Sequence, residues 1–406
     1  MTWCEIPFEE LYAEPSRNGV YKAKEAHGSG AKIVNMGELF AYEFVGSQAM
    51  ARLAMSDSEL EKSGLRNGDL LFGRRSLVEA GAGKCSIVLN ISEPTTFESS
   101  IIRARLCSDR CDPLFYYYWF KSPQGRGRIR SIVSGTNVKG IRGSDLKRLL
   151  VVSPQLRAQQ RIVEVLKPYD NLIENNRRRI ALLEEAAGML YREWFVHFRF
   201  PGHEHVRIVG GLPEGWERLP ASEAFEVNPK TARDDEGIIR YVPMSALSET
   251  AMIVDRAPIE ERETSTSVRF QNGDTLFARI TPCLENGKTG YVQFLSNDEV
   301  ACGSTEFIVL RGRRVSNFFV YLTARQAAFR DNAIRSMIGS SGRQRVQPSC
   351  FDRYVVAVPP HFLAEVFDEA VGRMFRQIGN LDQQNQKLAQ ARDLLLPRLM
   401  NGEIAL

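Results

Sequence analysis

The residues best suited to chemistry are basic and amide side chains set among glycines, and they occur at two places. GRGRIR at 125–130 is followed by SGTNVKGIRG at 134–143, and GSSGRQRV at 339–346 follows Arg335. Small residues let a backbone approach phosphates, while Arg, Lys, Asn and Gln reach base edges. The pattern predicts DNA contact by Arg126, Arg128, Asn137, Lys139 and Arg142 in the first stretch, and by Arg335, Arg343, Gln344 and Arg345 in the second. Arg74, Arg75 and Lys84, with Arg279 and Lys288, are weaker candidates for the same surface. Either stretch alone reads better as a solvated loop; two at matching positions favour contact.

Other chemistry finds little support. Asn228-Pro229-Lys230 resembles the first half of the loop with which amino-methyltransferases hold a base, but the second proline and the aromatic are missing, and a turn after a strand suffices. No E-x-K occurs for a carboxylate nuclease, and the D-x-K at Asp145 precedes a strand instead of lying in one. His203-Glu204-His205 sits beside Pro201 and Gly202 and reads as linker before metal site. No P-loop, nucleophile elbow or zinc pattern is present, so neither a catalytic nor a metal residue is assigned.

The elements that must hold the basic stretches come in two copies. Trp3 and Pro7 recur as Trp216 and Pro220, the latter after GGLPEG at 210–215, and IVNMGEL at 33–39 recurs loosely as YVPMSAL at 241–247. NGDLLFGR at 67–74 recurs as NGDTLFAR at 272–279, with six of eight positions identical. The GK pairs, the aromatic segments DPLFYYYWF and SNFFVYL, and LKRLLVVSP against FDRYVVAVP continue the pattern. Asn-Gly-Asp marks a turn, with Asp69 and Asp274 bonding local backbone ahead of a short buried strand. The aromatic segments are read as amphipathic helices, a strand remaining open for the first, and each half is α+β.

Two helical arms follow the two halves. In the first, Ile173, Ile180, Ala187 and Trp194 fall seven apart, with Leu183 and Leu190 between them. In the second, Phe367, Met374, Leu381, Leu388 and Leu395 repeat that spacing, and Pro397 is expected to stop the helix. The arms are expected to pair, with polar Asn176 and Gln384 at equivalent positions setting the register. Pro168 is expected to break the first arm into Leu156–Lys167 and Pro168 to about His197. Thirty residues span roughly 45 Å, or about 13 base pairs of B-DNA, which would let two domains read patches about one turn apart. The predicted divisions are a first domain at 1–154, an arm at 155–200, a linker at 201–212, a second domain at 213–359 and an arm at 360–406.

Composition constrains the rest. A chain of 406 residues suffices for two cores, and a net charge of +4 does not by itself name a nucleic-acid partner. Of the 53 basic residues 41 are Arg, whose planar fork suits phosphate and guanine edges, although genomic bias explains such a ratio equally well. Seven cysteines without CxxC spacing argue for reduced thiols in a cytosolic protein, and no leader or long apolar run points to a membrane.

Taken together, the chain resembles the specificity subunit of type I restriction-modification enzymes over nearly its whole length. The marks are SPQLRAQQRIVEVLKPYDNLIENNRRRIALLEEAAGMLYREWFVHF at 153–198, GLPEGW at 211–216, LAQARDLLLPRLMNGEI at 388–404 and the repeated NGDxLFxR. The resemblance implies two target recognition domains in pseudo-twofold repeat, each reading one part of a split DNA sequence, separated by two long helices that pair as an antiparallel coiled coil. It implies a non-catalytic, cytoplasmic subunit that binds double-stranded DNA and docks two modification subunits and restriction subunits, with S-adenosylmethionine held by the modification subunits. Gly372, Gly379 and a Gln-rich middle set the second arm apart from the first and leave open how symmetrically the modification subunits are held. The alternatives from other classes are a self-contained pseudo-dimeric repressor, which would bind its site alone, and a coiled-coil adaptor without a DNA role.

Overall fold

The computed structural model describes residues 3–76, 81–232, 237–263, 267–296, 298–340 and 342–404. The chain divides into two compact units, Met1–Leu172 with Lys387–Leu406, and Ile173–Gln386. Both are α+β and both carry the same frame.

In the first unit β1 (Glu5–Pro7) is followed by β2 (Tyr12–Asn18), β3 (Phe44–Val45), β4 (Leu70–Gly73), β5 (Arg75–Ser76), β6 (Cys85–Val88) and β7 (Ile101–Leu106). Helices α1 (Pro113–Lys121) and α2 (Pro123–Ser131) come next, then β8 (Lys139–Gly140), β9 (Leu150–Val152) and the arm helix α3 (Leu156–Tyr191). The main sheet has the order β2-β7-β4-β6-β3, with β4 at its centre, paired to both β7 and β6. β1 closes antiparallel on β9, joining the start of the half to the strand that leads into the arm.

In the second unit β10 (Glu217–Pro220), β11 (Phe225–Val227), β12 (Thr275–Ala278), β13 (Thr289–Tyr291) and β14 (Phe307–Gly312) precede α4 (Asn317–Ala324) and α5 (Ala327–Arg335). β15 (Val355–Val358) then leads into the arm helix α6 (His361–Met400). The sheet order β11-β14-β12-β13 again centres on the strand after Asn-Gly-Asp, and β10 closes on β15 as β1 does on β9.

The expected strands at Leu150–Val152 and Val355–Val358 form. The expectation of amphipathic aromatic helices is corrected for α1, whose residues Leu114 to Phe120 are all buried. A helix apolar on every side belongs inside a core. It starts cleanly because Asp112 caps it, accepting from the Leu114 amide at 2.8 Å, with Pro113 in the first turn. Ser316 caps α4 in the same way, accepting from the Phe319 amide at 3.2 Å.

The arms need three corrections. α3 runs without interruption through Pro168 and ends in one π-helical turn at Arg192–Val196, and α6 passes Pro397 to reach Met400. Leu166 and Asp170 are buried on either side of Pro168, and Leu396 and Leu399 flank Pro397, so core packing holds both helices where propensity would end them. The Asn176–Gln384 register pair does not form: Asn176 is buried and Gln384 is exposed. The strict seven-residue seam is also only partial. Ile173, Ile180, Ala187, Trp194 and Leu381 are buried, whereas Leu183, Leu190, Met374, Leu388 and Leu395 are half-buried. The buried line of α6 is instead Leu363, Phe367, Val371, Phe375, Ile378 and Leu381, because this face packs on aromatic side chains of its unit as well as on α3. Phe375 lies 4.9 Å from both Tyr291 and Phe318, and Phe367 lies 5.5 Å from Trp194. Within the second unit the end of α3 thus meets the start of α6, and the two run antiparallel. The glycines that set the second arm apart have a packing reason. A β-carbon on Gly372 would lie 3.2 Å from the Phe318 ring and one on Gly379 3.2 Å from the Gln293 amide.

Candidate nucleic-acid interface

The repeated NGDxLFxR builds a seat in each half. Asp69 accepts the Arg66 amide at 2.7 Å, and Asp274 accepts the Gln271 amide at 2.8 Å, the turn role expected of them. Each also holds an arginine bidentately from the neighbouring strand: Arg105 donates to Asp69 at 2.7 and 2.8 Å, and Arg311 to Asp274 at 2.7 Å twice. Sequence reading missed both arginines. Their signal was present in β7 and β14, where arginines stand in otherwise apolar strands, Arg103 and Arg105 in the first and Arg311 in the second.

At the end of the motif, the carbonyl of Arg74 accepts the Ile141 amide at 3.0 Å and that of Arg279 accepts the Val346 amide at 2.8 Å. These bonds anchor the returning limb of a hairpin loop. In the first half Ser134 and Gly140 exchange backbone hydrogen bonds of 2.9 Å, and β8 pairs with β5 through Gly140 and Arg75. In the second half Ile338 and Arg345 exchange bonds of 3.1 and 3.0 Å, and Arg345 bridges to Ile280. Each loop leaves its stem through a glycine with positive φ, Gly135 at 106° and Gly339 at 137°, a conformation that side chains with a β-carbon resist.

The GK lysines serve the same frame. Lys84 donates to the Phe40 carbonyl at 2.6 Å and Lys288 to the Met244 carbonyl at 3.3 Å. Burial holds the Lys84 ammonium below its ordinary pKa, with Glu43 offsetting part and the charges of Lys121 and Arg126 adding to the shift. Arg74 donates to the Ser99 carbonyl, and Arg279 to the Val346 carbonyl.

The GRGRIR stretch is corrected from loop to helix. It forms α2, with Ser122 as its cap and Pro123 in the first turn. Gly125 faces the core: a β-carbon there would lie 2.0 Å from the Trp119 carbonyl oxygen, so its small size serves helix packing. Arg126 is half-buried and donates to the Gly83 carbonyl at 3.1 Å, while Arg128 pairs with Glu5 at 2.5 Å. Burial and the nearby charge of Arg130 lower the Arg126 pKa.

The remaining candidates lie on or beside the two loops. Asn137 and Arg142 are exposed and Lys139 half-exposed, with Arg75 exposed on the strand that pairs with the loop. In the second half Arg343 is exposed at the tip and Arg335 is exposed at the end of α5. Gln344 is half-buried, its backbone bonded to Thr281, and Arg345 chelates Glu306 at 2.6 to 3.0 Å. That bond first, and the positive charges of Arg345 and Arg279 with it, hold the Glu306 carboxyl below the usual range, against some burial. Two aliphatic side chains that sequence reading passed over, Val138 and Ile338, are 48% and 68% exposed at the same loops.

The alternative chemistries find no assembled site. Asn228 adopts φ 52° and its side chain accepts the Val309 amide at 3.0 Å, which makes it a turn residue. Among the described residues no cluster of His, Cys, Asp or Glu could hold a metal ion, and no helix is long and apolar enough to cross a membrane.

Comparison with known proteins agrees with this arrangement. The family model for the type I restriction modification DNA specificity domain matches residues 52–185, a span that contains the seat, α1, α2 and the first loop. The MjaIX specificity subunit of Methanocaldococcus jannaschii is 21% identical over 94% of this chain and 89% of that protein. The EcoEI specificity subunit of Escherichia coli is 34% identical over 37% of this chain and 26% of its own length. The crystal structure of the S subunit of a type I restriction-modification system from M. genitalium shares the fold, with a TM-score of 0.54, 16% identity and coverage of 98% and 96%. Residues 52–185 thus match the type I restriction modification DNA specificity domain, and over most of its length the chain is similar to specificity subunits of type I restriction enzymes.

Proposed function

We propose that the chain reads a two-part, asymmetric DNA target, one part per globular half, and contributes no catalytic group itself. The observation that carries this reading is the pair of hairpin loops seated on the same repeated frame but tipped with different side chains. One offers Asn137, Val138, Lys139 and Arg142, the other Ile338, Arg343 and Gln344. Arginine, lysine and asparagine suit guanine and adenine edges, and an exposed aliphatic group suits a thymine methyl. Two copies of one frame with unlike tips fit unlike half-sites.

In this reading modification subunits dock on the chain, bind S-adenosylmethionine and methylate adenine, and restriction subunits complete a cleaving complex. The arms act as a ruler between the half-sites, α3 alone being 36 residues, about 54 Å at 1.5 Å per residue. One helical turn inserted near Leu183 is expected to lengthen the unread spacer and leave both half-sites unchanged, as methylation mapping would report. Reconstitution tests the assignment. Sequence-specific DNA binding is expected only when modification subunits are added to the chain; tight specific binding by the chain alone would point instead to a repressor.

A further inference from the structure

The arms meet the two halves through a pair of polar clusters that are equivalent in position and whose arm residues are opposite in charge. In the first unit, Arg392 of α6 is 6% exposed and hydrogen-bonds Asp170 of α3, with Glu43 at 3.4 Å. Tyr118 donates to Asp170 at 2.6 Å, Tyr117 donates to Glu43 at 3.2 Å, and Lys121 pairs with Glu43. In the second unit, Glu184 of α3 is 14% exposed and accepts from Tyr321 at 2.6 Å and from the Met252 amide at 2.9 Å. The Arg325 guanidinium lies 3.8 Å from it.

The internal repeat puts these residues in register. Tyr117 matches Tyr321 and Lys121 matches Arg325 at an offset of 204, and Glu184 matches Arg392 at the offset of 208 that relates the arms. The two carboxylates of the first cluster have no acidic counterpart in the second. The Glu43 carbonyl accepts the Ile87 amide as the Met252 carbonyl accepts the Tyr291 amide, so Glu43 corresponds to Met252, and Asp170 corresponds to Ile378 at the offset of 208; both counterparts are buried and apolar. In the first unit Arg392 therefore faces two carboxylates, Glu43 from the globular half and Asp170 from the adjoining start of α3, against the single cation Lys121, and in the second Glu184 faces a cation. Glutamate in place of Arg392 would face Glu43 and Asp170. Arginine in place of Glu184 would face Arg325 with no described acidic residue from the equivalent positions. A buried charge without its partner is strongly destabilising.

We infer that Glu184 and Arg392 form a charge key: each globular half accepts only one of the two arm ends, so the repeated chain closes in one arrangement and rejects the one with the arm ends exchanged.

Hydrogen exchange of the full chain tests the key, read on Pro113–Lys121 and Asn317–Ala324. Arg392→Glu and Glu184→Arg each install the residue that the other arm carries. Arg392→Glu should speed exchange of the first helix on the order of a hundredfold and leave the second within about threefold; Glu184→Arg should do the reverse. Adding Arg325→Glu to Glu184→Arg restores a pair of opposite sign and should recover at least about tenfold of the lost protection. Arg392→Lys should stay close to the parent while Arg392→Met, similar in volume, should not, which keeps the test open if Arg392→Glu does not fold. Equal loosening of both helices by either reversal, no recovery in the double variant, or like behaviour of Lys and Met at position 392 would overturn the key.

Discussion

The two halves of the chain share the frame that seats their loops and differ at the exposed loop tips and at the buried contacts with the arms. Asp69 and Asp274, Arg105 and Arg311, Lys84 and Lys288, and the carbonyls of Arg74 and Arg279 make the same bonds in both units. The loop tips both offer basic, amide and aliphatic side chains, but in different residues and a different order. The lesson is that a residue shared by both copies of a repeat points to the frame, and a residue that differs at a matching exposed place points to what the copy recognises.

The frame can be broken first. Asp274→Ala leaves Arg311, 18% exposed, with Thr231 as its remaining side-chain hydrogen-bond partner, and should cost about 3 to 5 kcal/mol in the second unit. Asp69→Ala should cost less, about 2 to 3 kcal/mol, since Arg105 keeps Glu14. Unit-resolved hydrogen exchange would rank them, and equal losses would mean that the two seats are not distinguished by Glu14. The tips come next. Arg142→Ala and Asn137→Ala should each lower discrimination at the first half-site by about 1 to 3 kcal/mol without altering the second, as seen in methylation of substituted targets. Smaller again is Lys288→Met, expected to cost about 1 kcal/mol through one lost hydrogen bond to the Met244 carbonyl.

The smallest effect is a pH dependence. The folded Glu306 carboxyl is held below its ordinary pKa by Arg345, so the pair's stabilisation is complete above about pH 4.3 and is lost as pH falls through the lower folded value. Exchange within residues 338–345 should accelerate only in that acid window, and Glu306→Gln should abolish the dependence. A loop that loosened between pH 6 and 8 would rule out this pair as its cause.

Much of the frame was legible in the sequence because it rests on local chemistry. Asn-Gly-Asp specifies its turn, the apolar runs after it make buried strands, and the offset between the copies aligns them. Three features were not legible, each because long-range packing decided them. GRGRIR looked like a glycine-rich loop, but Gly125 is there to fit against the Trp119 carbonyl, which no local pattern reveals. Pro168 and Pro397 looked like helix stops, yet buried neighbours carry both arms through. Gln384 matched Asn176 in the repeat but not in burial, since α6 buries the line through Phe375 and Ile378 against its own unit. Of the candidate site, sequence found both loops and their exposed tips, Asn137, Arg142 and Arg343. It also included Arg128 and Arg345, which are engaged with Glu5 and Glu306, and it passed over Val138 and Ile338 because aliphatic residues carry no polar signature.

The central claim is that one frame carries two independent reading heads. The most direct measurement is a map of methylated adenines in DNA modified by the complete complex, made with the parent chain and with Arg343→Ala. The parent should mark a two-part target, and Arg343→Ala should relax or abolish recognition of one part while the bases of the other stay unchanged. Equal loss at both parts, or a target read as a single uninterrupted block, would contradict it.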